Sequence, residues 1–273
     1  MRYCIFGDSH GNLEGTTAVI ADGEKQSSDE WVFLGDAVGY CANPNETLDL
    51  IYSKVPTKNI FRGNHDAQAI HFLDFYRANK FWPTLSGWNP LALEAIQWTA
   101  ENLSPQSEKR LEALLEPDRI LDIQKDTTKR LLFTHDTPLS HSGFNYITCW
   151  LNAKRFFFED SNLSNNTIAF VGHTHIPQIY LRAKGTDAIT DIDPRQINDD
   201  YKIDLSKYGS ALIVIPSAGQ PRDWRNKVGY ALYDSSTGIL NIKRVEYDYQ
   251  TTQQKIIDKC LPRELADRLS SGR

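Results

Sequence analysis

The sequence predicts an α/β fold, and three features carry that prediction. The first 62 residues alternate short apolar runs with helical stretches, residues 67–116 keep a helical period, and seven further strand candidates follow. Apolar runs at 3–6, 31–34 and 59–61 are the first strands, with helices expected near 13–21 and 45–53 between them. That β-α-β-α-β order belongs to a sheet whose strands are joined by crossover helices. In the block near 67–116, which should form a helical layer, Pro90 opens one segment and Ser104-Pro105 the next. Proline is at home in a first helical turn, where its missing N–H leaves no bond unmade. Later strands are expected at 119–123, 130–133, 167–171, 178–182, 211–215, 229–233 and 239–245, then helices near 251–260 and 262–269. Residues 183–207 are polar, Asp-rich and aperiodic, and read as a surface excursion. No stretch resembles an interdomain linker, so a single domain over 1–273 is the simplest organisation.

Composition removes several functional classes. Of 273 residues, 40% are hydrophobic and 11% aromatic, which excludes disordered and collagen-like chains and allows a sizeable core. The longest clean apolar run, 211–215, is far short of the roughly 20 residues a membrane-crossing helix needs. The first apolar stretch meets Gly7-Asp8 before a signal-peptide core could form, so a cytoplasmic protein is expected. Thirty Lys and Arg against 35 Asp and Glu leave a net charge of −5, whereas a protein gripping duplex nucleic acid usually presents a basic face. Cys4, Cys41, Cys149 and Cys260 lie far apart with no C-x-x-C pair, which suggests neither a disulfide framework nor a thiolate zinc site. There is no G-x-x-x-x-G-K-[ST] loop, no G-x-S-x-G elbow and no dinucleotide fingerprint.

What carries chemistry sits at strand ends. Five of the seven histidines fall there beside Asp, Asn or Gly: Gly7-Asp8-Ser9-His10, Gly63-Asn64-His65-Asp66, Thr134-His135-Asp136 and Gly172-His173-Thr174-His175, with Gly35-Asp36 as a fifth cluster. The carboxyl ends of parallel strands share one edge, so all five can converge on one place. Imidazole and carboxylate together suit Mn, Fe, Co or Zn, and a pair of such ions suits phosphate chemistry.

These motifs in this order, GDSH, LGD, RGNHD, a lone strand-end His and GHTH, resemble the calcineurin-like metallophosphoesterases. The likeness extends through GDAVGYCANPNE, NPLALEAIQWTAENLS, PSAGQPRD with its following YALYD, and the tail from RVEYDYQ to LPRELADRLSSGR, which are similar to a small stand-alone bacterial and archaeal phosphodiesterase-like subgroup. The resemblance implies a four-layer αββα sandwich with two mixed sheets. It also implies two divalent or transition metal ions: Asp8, His10 and His175 at one, Asn64, His135 and His173 at the other, with Asp36 bridging. His65, with Asp66 beside it to hold its imidazole charged and oriented, would protonate the leaving oxygen. Two departures stand out. Asp36 is followed by Ala37-Val38-Gly39-Tyr40-Cys41 where the protein-phosphatase branch has GDxxDRG, so that branch's phosphate-binding arginine is missing, and Cys41 and Asp136 replace glycines expected in the subgroup.

The expected function is therefore metal-dependent hydrolysis of a small phosphate ester, most simply a nucleotide-type diester or anhydride. The competing readings are a DNA nuclease of the repair-exonuclease branch, which the charge disfavours, and a non-catalytic metal-binding scaffold, which would usually have lost several ligands. Arg222 is a candidate phosphate contact whose alternative is a salt bridge to Asp223, and His141 either meets substrate or lies in a surface loop. His71 is expected to be structural, and Phe156, Phe157 and Phe158 to pack in the core or under a lid.

Overall fold

Alternation along the strands sets the layers of the molecule. In β1 (Arg2–Phe6), Tyr3 and Ile5 point into a core shared by two sheets, while Cys4 and Phe6 point to the opposite face, beneath helices. The computed structural model describes residues 1–83, 86–114, 121–123, 129–138, 146–159 and 165–273.

The first sheet has the order β2 (Glu30–Phe33), β1, β10 (Val228–Asp234), β11 (Ile239–Val245), β8 (Asp200–Asp204). In the second the order is β3 (Leu121–Ile123), β4 (Arg130–Phe133), β5 (Thr167–Val171), β9 (Tyr208–Val214), β6 (Gln178–Ala183), β7 (Ile189–Ile192). Both are mixed: β1 is parallel to β2, and β4, β5 and β9 are parallel to one another, while the other pairings are antiparallel.

Helices α1 (Leu13–Lys25), α2 (Pro44–Lys54), α3 (Asn64–Asn79), α4 (Pro90–Asn102) and α5 (Pro105–Glu112) cover the outer face of the first sheet, around Cys4, Phe6, Trp31 and Phe33. On the other side α6 (Trp150–Phe158) lays Ala153, Phe156 and Phe157 over Leu132, Ala169, Leu212 and Val214. The result is the αββα sandwich. Phe156 and Phe157 belong to its core and Phe158 is partly exposed. Each large apolar side chain sealed in this way contributes about 1.5–3 kcal/mol. Finally α7 (Tyr249–Asp258) and α8 (Arg263–Asp267) pack Ile256, Leu265 and Ala266 against Tyr40, Cys41 and Ala42, which fixes the loop after β2.

Two expectations are corrected. Residues 59–61 form no full strand: Thr57–Asn59 is a 3-10 turn, and only Ile60 makes a parallel bridge, to Phe33. The Asn59 amide donates to the Trp31 carbonyl at 2.9 Å, and the chain turns into α3 within a few residues. The 183–207 segment is more than an excursion, because β7 and β8 lie within it as edge strands of the two sheets. Ile192, Tyr201 and Ile203 pack against the inter-sheet core, and the intervening positions face solvent, so its composition resembles that of a loop.

Candidate active site

Parallel strands place the site. The loops after β1, β2, Ile60, β4 and β5 all leave the same edge, and backbone bonds lock them together: Asp8 N–H to Gly35 O at 2.8 Å, His10 N–H to Asp36 O at 2.9 Å and Gly172 N–H to His135 O at 2.8 Å. The turns are tight. Asp8, His10, Asp36, His173 and His175 all adopt φ between 51° and 68°, a left-handed conformation that ordinary residues visit rarely and that marks over-determined functional loops. Gly63 is required for a different reason: a Cβ there would run into Asp36 Oδ1.

All seven expected metal ligands are buried and brought together. Donor atoms of Asp8, His10, Asp36 and His175 lie within 4.8 Å of one another, as do those of Asp36, His135 and His173, so Asp36 belongs to both groups. Asn64 joins the second, its Oδ1 3.2 Å from His135 Nε2. Three imidazoles spend Nδ1 on a backbone carbonyl: His10 on Val38 O (3.1 Å), His135 on Leu34 O (2.7 Å) and His175 on Gln220 O (2.7 Å). A carbonyl only accepts, so each Nδ1 carries the proton, as in histidines oriented for metals. The Nε2 atoms of His10 and His175 then face each other at 3.0 Å with Asp36 Oδ2 3.6 Å from His10 and Asp8 Oδ1 3.5 Å from His175. Acceptors aimed at acceptors require a positive charge among them, and this donor set fits a metal cation.

The electrostatics agree. Burial holds His10 and His175 well below the usual imidazole range and pushes His173 down to about 3, which keeps all three neutral, the form that ligates. Burial, with Asp36 adding to it, pushes Asp8 up to about 7. Asp36 itself stays well below the ordinary carboxylate range, since His135, His65 and His10 together outweigh its own burial. Against the pull of burial, Asp36 in turn lifts His135 to about 10, so a proton supplies part of the positive charge this cluster needs.

His65 lies in the wall of a cleft of about 360 Å³ together with Tyr40, Trp88, Tyr146 and His173. Its backbone N–H donates to Asp36 Oδ1 at 2.8 Å. Its Nδ1 is buried against Gly39 without a hydrogen-bond partner among the described residues, which leaves Nε2 for the cleft. Burial lowers its pKa to about 4, an effect that Asp36 opposes and Arg222 reinforces. The expectation that Asp66 orients this imidazole is corrected. Its carboxylate instead accepts the N–H groups of Ala37 (2.8 Å), Val38 (3.1 Å) and Gly63 (3.0 Å), closing the first turn of α3 onto the loop that carries Asp36.

Arg222 does not pair with Asp223. Asp223 binds Arg244 at 2.7 Å, whereas Arg222 reaches Gln220 Oε1 (2.7 Å) and the Tyr40 hydroxyl (3.4 Å) beside His10. His141 lies outside the described residues. Cys41 is buried under α8, Asp136 is buried beside His135, and His71 is exposed on α3. Sequence reasoning missed the aromatic lining: Tyr40 lies 4.7 Å from the His10 ring and 4.5 Å from that of His65, Trp88 5.7 Å from His65, and Tyr146 stacks on His173 at 4.1 Å.

Fold and site define a hydrolase of the αββα class with buried Asp and His groups suited to metal. The chain belongs to the calcineurin-like phosphoesterase family, whose profile matches residues 1–177, and it is a phosphoesterase by that membership. It is similar to an uncharacterized protein of Methanocaldococcus jannaschii, 29% identical over 271 residues that cover 98% of this chain and 97% of the relative. Among solved structures it is similar to a metallophosphoesterase from Sphaerobacter thermophilus, with TM-score 0.75, 29% identity and coverage of 100% and 99% of the two chains. A hypothetical protein from Pyrococcus horikoshii shares the fold at TM-score 0.72 and 16% identity, covering 100% and 98%. Among the described residues no helix is long and apolar enough to cross a membrane.

Proposed function

We propose that this chain is a dinuclear-metal phosphodiesterase acting on small nucleotide-type diesters or anhydrides. The observation that carries the reading is the sharing of Asp36 by two buried donor groups. Asp8, His10, Asp36 and His175 would hold one ion, and Asp36, Asn64, His135 and His173 the other. When bound, ions such as Mn, Fe, Zn or Co polarise a phosphoryl oxygen and activate a water for in-line displacement.

The remaining work falls to side chains. His65 offers Nε2 to the departing oxygen, and the negative charge of a bound phosphate raises its pKa toward the range where it can give up a proton. Asp66 acts at one remove, by fixing the loop on which Asp36 stands. The cleft walls Tyr40, Trp88 and Tyr146 suit a planar, apolar-faced group such as a nucleobase. A net charge of −5 argues against duplex DNA, and the full set of ligand residues argues against a silent scaffold.

The deciding experiment combines elemental analysis with hydrolysis of bis-p-nitrophenyl phosphate. Two equivalents of Mn per chain and Mn-dependent turnover are expected. Uptake of at most one equivalent from excess Mn would sink the dinuclear reading, and bound metal without turnover would favour the scaffold.

A further inference from the structure

We infer that Arg222 and Arg268 form an anion clamp across Tyr40, built to receive a second anionic group of the substrate next to the phosphate being hydrolysed. This rests on the phosphoesterase reading and narrows it to compounds with two neighbouring phosphates, that is, nucleoside anhydrides.

The clamp is assembled from distant parts of the chain. Arg222 follows β9, in the loop that also supplies the Gln220 carbonyl to His175, and its guanidinium carbon lies 5.7 Å from the centre of the Tyr40 ring. Arg268 comes just after α8, and its guanidinium carbon is 6.0 Å from the centre of the same ring. Both side chains are partly buried. Among the described residues neither forms an ion pair: Arg222 donates to the Gln220 side chain and the Tyr40 hydroxyl, and Arg268 lies over the face of Tyr40. Asp267, next to Arg268 in sequence, pairs with Arg263, and Asp8 in the metal-candidate group feels Arg222 through space without an ion pair among the described residues.

Two guanidinium groups held around one ring repel each other, and burial together with Arg222 holds Arg268 below its ordinary pKa. An arrangement of this kind costs free energy until an anion enters, and planar guanidinium forks match phosphate oxygens. Its position gives the anion a specific role. Tyr40 is 4.7 Å from the ring of His10, so the clamp borders the metal-candidate group. Tyr40 also lines the catalytic cleft, while Arg222 lines a second cleft of about 600 Å³ that runs past Ile176 and Trp224. The Arg222–Tyr40 contact links the two cleft walls, and a substrate with its scissile phosphate at Asp36 would turn its next phosphate toward that contact. The arginine missing after Asp36 is thus answered by two from the last quarter of the chain, beyond the stretch the family profile matches.

The test measures ADP against AMP, two ligands that share a base and differ by one phosphate. Inhibition constants against bis-p-nitrophenyl phosphate, with free Mn buffered at saturation, are paired with calorimetric titration of both nucleotides into the Mn-loaded protein. Wild type is expected to bind ADP at least about tenfold more tightly than AMP, and Arg268→Gln and Arg222→Gln each to collapse that ratio toward one. Arg268→Lys, which keeps the charge without the fork, should retain part of it. Thermal melting and metal content identify any variant that fails to fold, in which case the remaining substitutions carry the test. A wild type without preference, a ratio unchanged in the variants, or an equal loss for AMP and ADP overturns the clamp. Absence of Mn-dependent hydrolysis in wild type overturns the parent reading instead, and calorimetry still reports on the clamp.

Discussion

Residues 1–177 and residues 178–273 divide the work of this molecule unequally. All seven candidate ligands lie in the first part, six on short loops after parallel strands and Asn64 at the start of α3, five of them in left-handed backbone conformations. The second part supplies β9, parallel to β5, and the antiparallel strands that complete both sheets, together with the carbonyl that orients His175 and the two arginines beside Tyr40. On the proposed reading, the first part carries the chemistry and the second adds the groups that would choose the substrate. The loops that assemble the metal-candidate groups tolerate little change, since a Cβ at Gly63 already collides with Asp36, and the turn at Ser217–Gln220 is held as closely, with a Cβ at Gly219 meeting the Ser9 carbonyl, whereas Arg222 and Arg268 approach the site through long side chains.

The largest effect should come from the residue common to both donor groups. Asp36→Asn keeps the shape and removes the charge, and also weakens the acceptor for His65 N–H. Metal content is expected to fall at both positions together, with kcat/KM lower by about 10³-fold or more, roughly 4 kcal/mol of transition-state stabilisation. Retention of one full equivalent would show that the two groups are independent.

Next in size is His65, which lies within the first part yet outside both metal groups. His65→Ala should keep both ions and lose about 10²–10⁴ in turnover on esters with poor leaving groups. Much of that loss should disappear on p-nitrophenyl esters, whose departing oxygen needs little protonation. An equal defect on good and poor leaving groups would move His65 from proton donor to mere wall of the cleft.

A complementary substitution probes the second part. The Arg244 side chain is buried and joined to Asp223 at 2.7 Å, with further bonds to the Ile197 and Asn198 carbonyls at 2.7 and 2.8 Å. Asp223→Ala leaves a buried cation unpaired and should cost about 3–5 kcal/mol of stability. Folded protein should nevertheless bind Mn with wild-type stoichiometry. Loss of metal at temperatures where circular dichroism shows the chain folded would break the proposed division between the two regions.

The same division explains what could be read from the sequence. Motifs such as GDSH and GHTH are legible because ligand, glycine and strand end are contiguous, and a parallel strand delivers them to a known edge. For Asp66, adjacency to His65 suggests contact, but at the third position of a helix a carboxylate turns back to backbone N–H groups. Edge strands β7 and β8 were hidden by solvent exposure, which makes half of their residues polar. Arg268 carries no local signal at all. Its place beside Tyr40 depends on α7 and α8 packing Ile256 and Leu265 under the β2 loop, a contact between residues more than two hundred positions apart.

The smallest expected effect concerns base selectivity, and it sharpens the comparison from within the first part. Trp88 follows α3 and precedes α4, far from both arginines in sequence, and its ring forms a wall of the cleft beside the candidate metal groups, 5.7 Å from His65. Stacking of a nucleobase on such a ring is worth about 0.5–1.5 kcal/mol, which corresponds to roughly 2–12-fold in affinity. Trp88→Leu keeps an apolar wall and removes the aromatic face, so the measurement compares thymidine 5′-p-nitrophenyl phosphate with methyl p-nitrophenyl phosphate, which share a leaving group and differ by the nucleoside. The ratio of their KM values should rise by that factor while the ADP-to-AMP ratio stays fixed, because the second phosphate is read by Arg222 and Arg268. If the substitution moves both ratios, base and phosphate are recognised by one continuous surface, and the separation between the two parts of the chain ends at the metal groups.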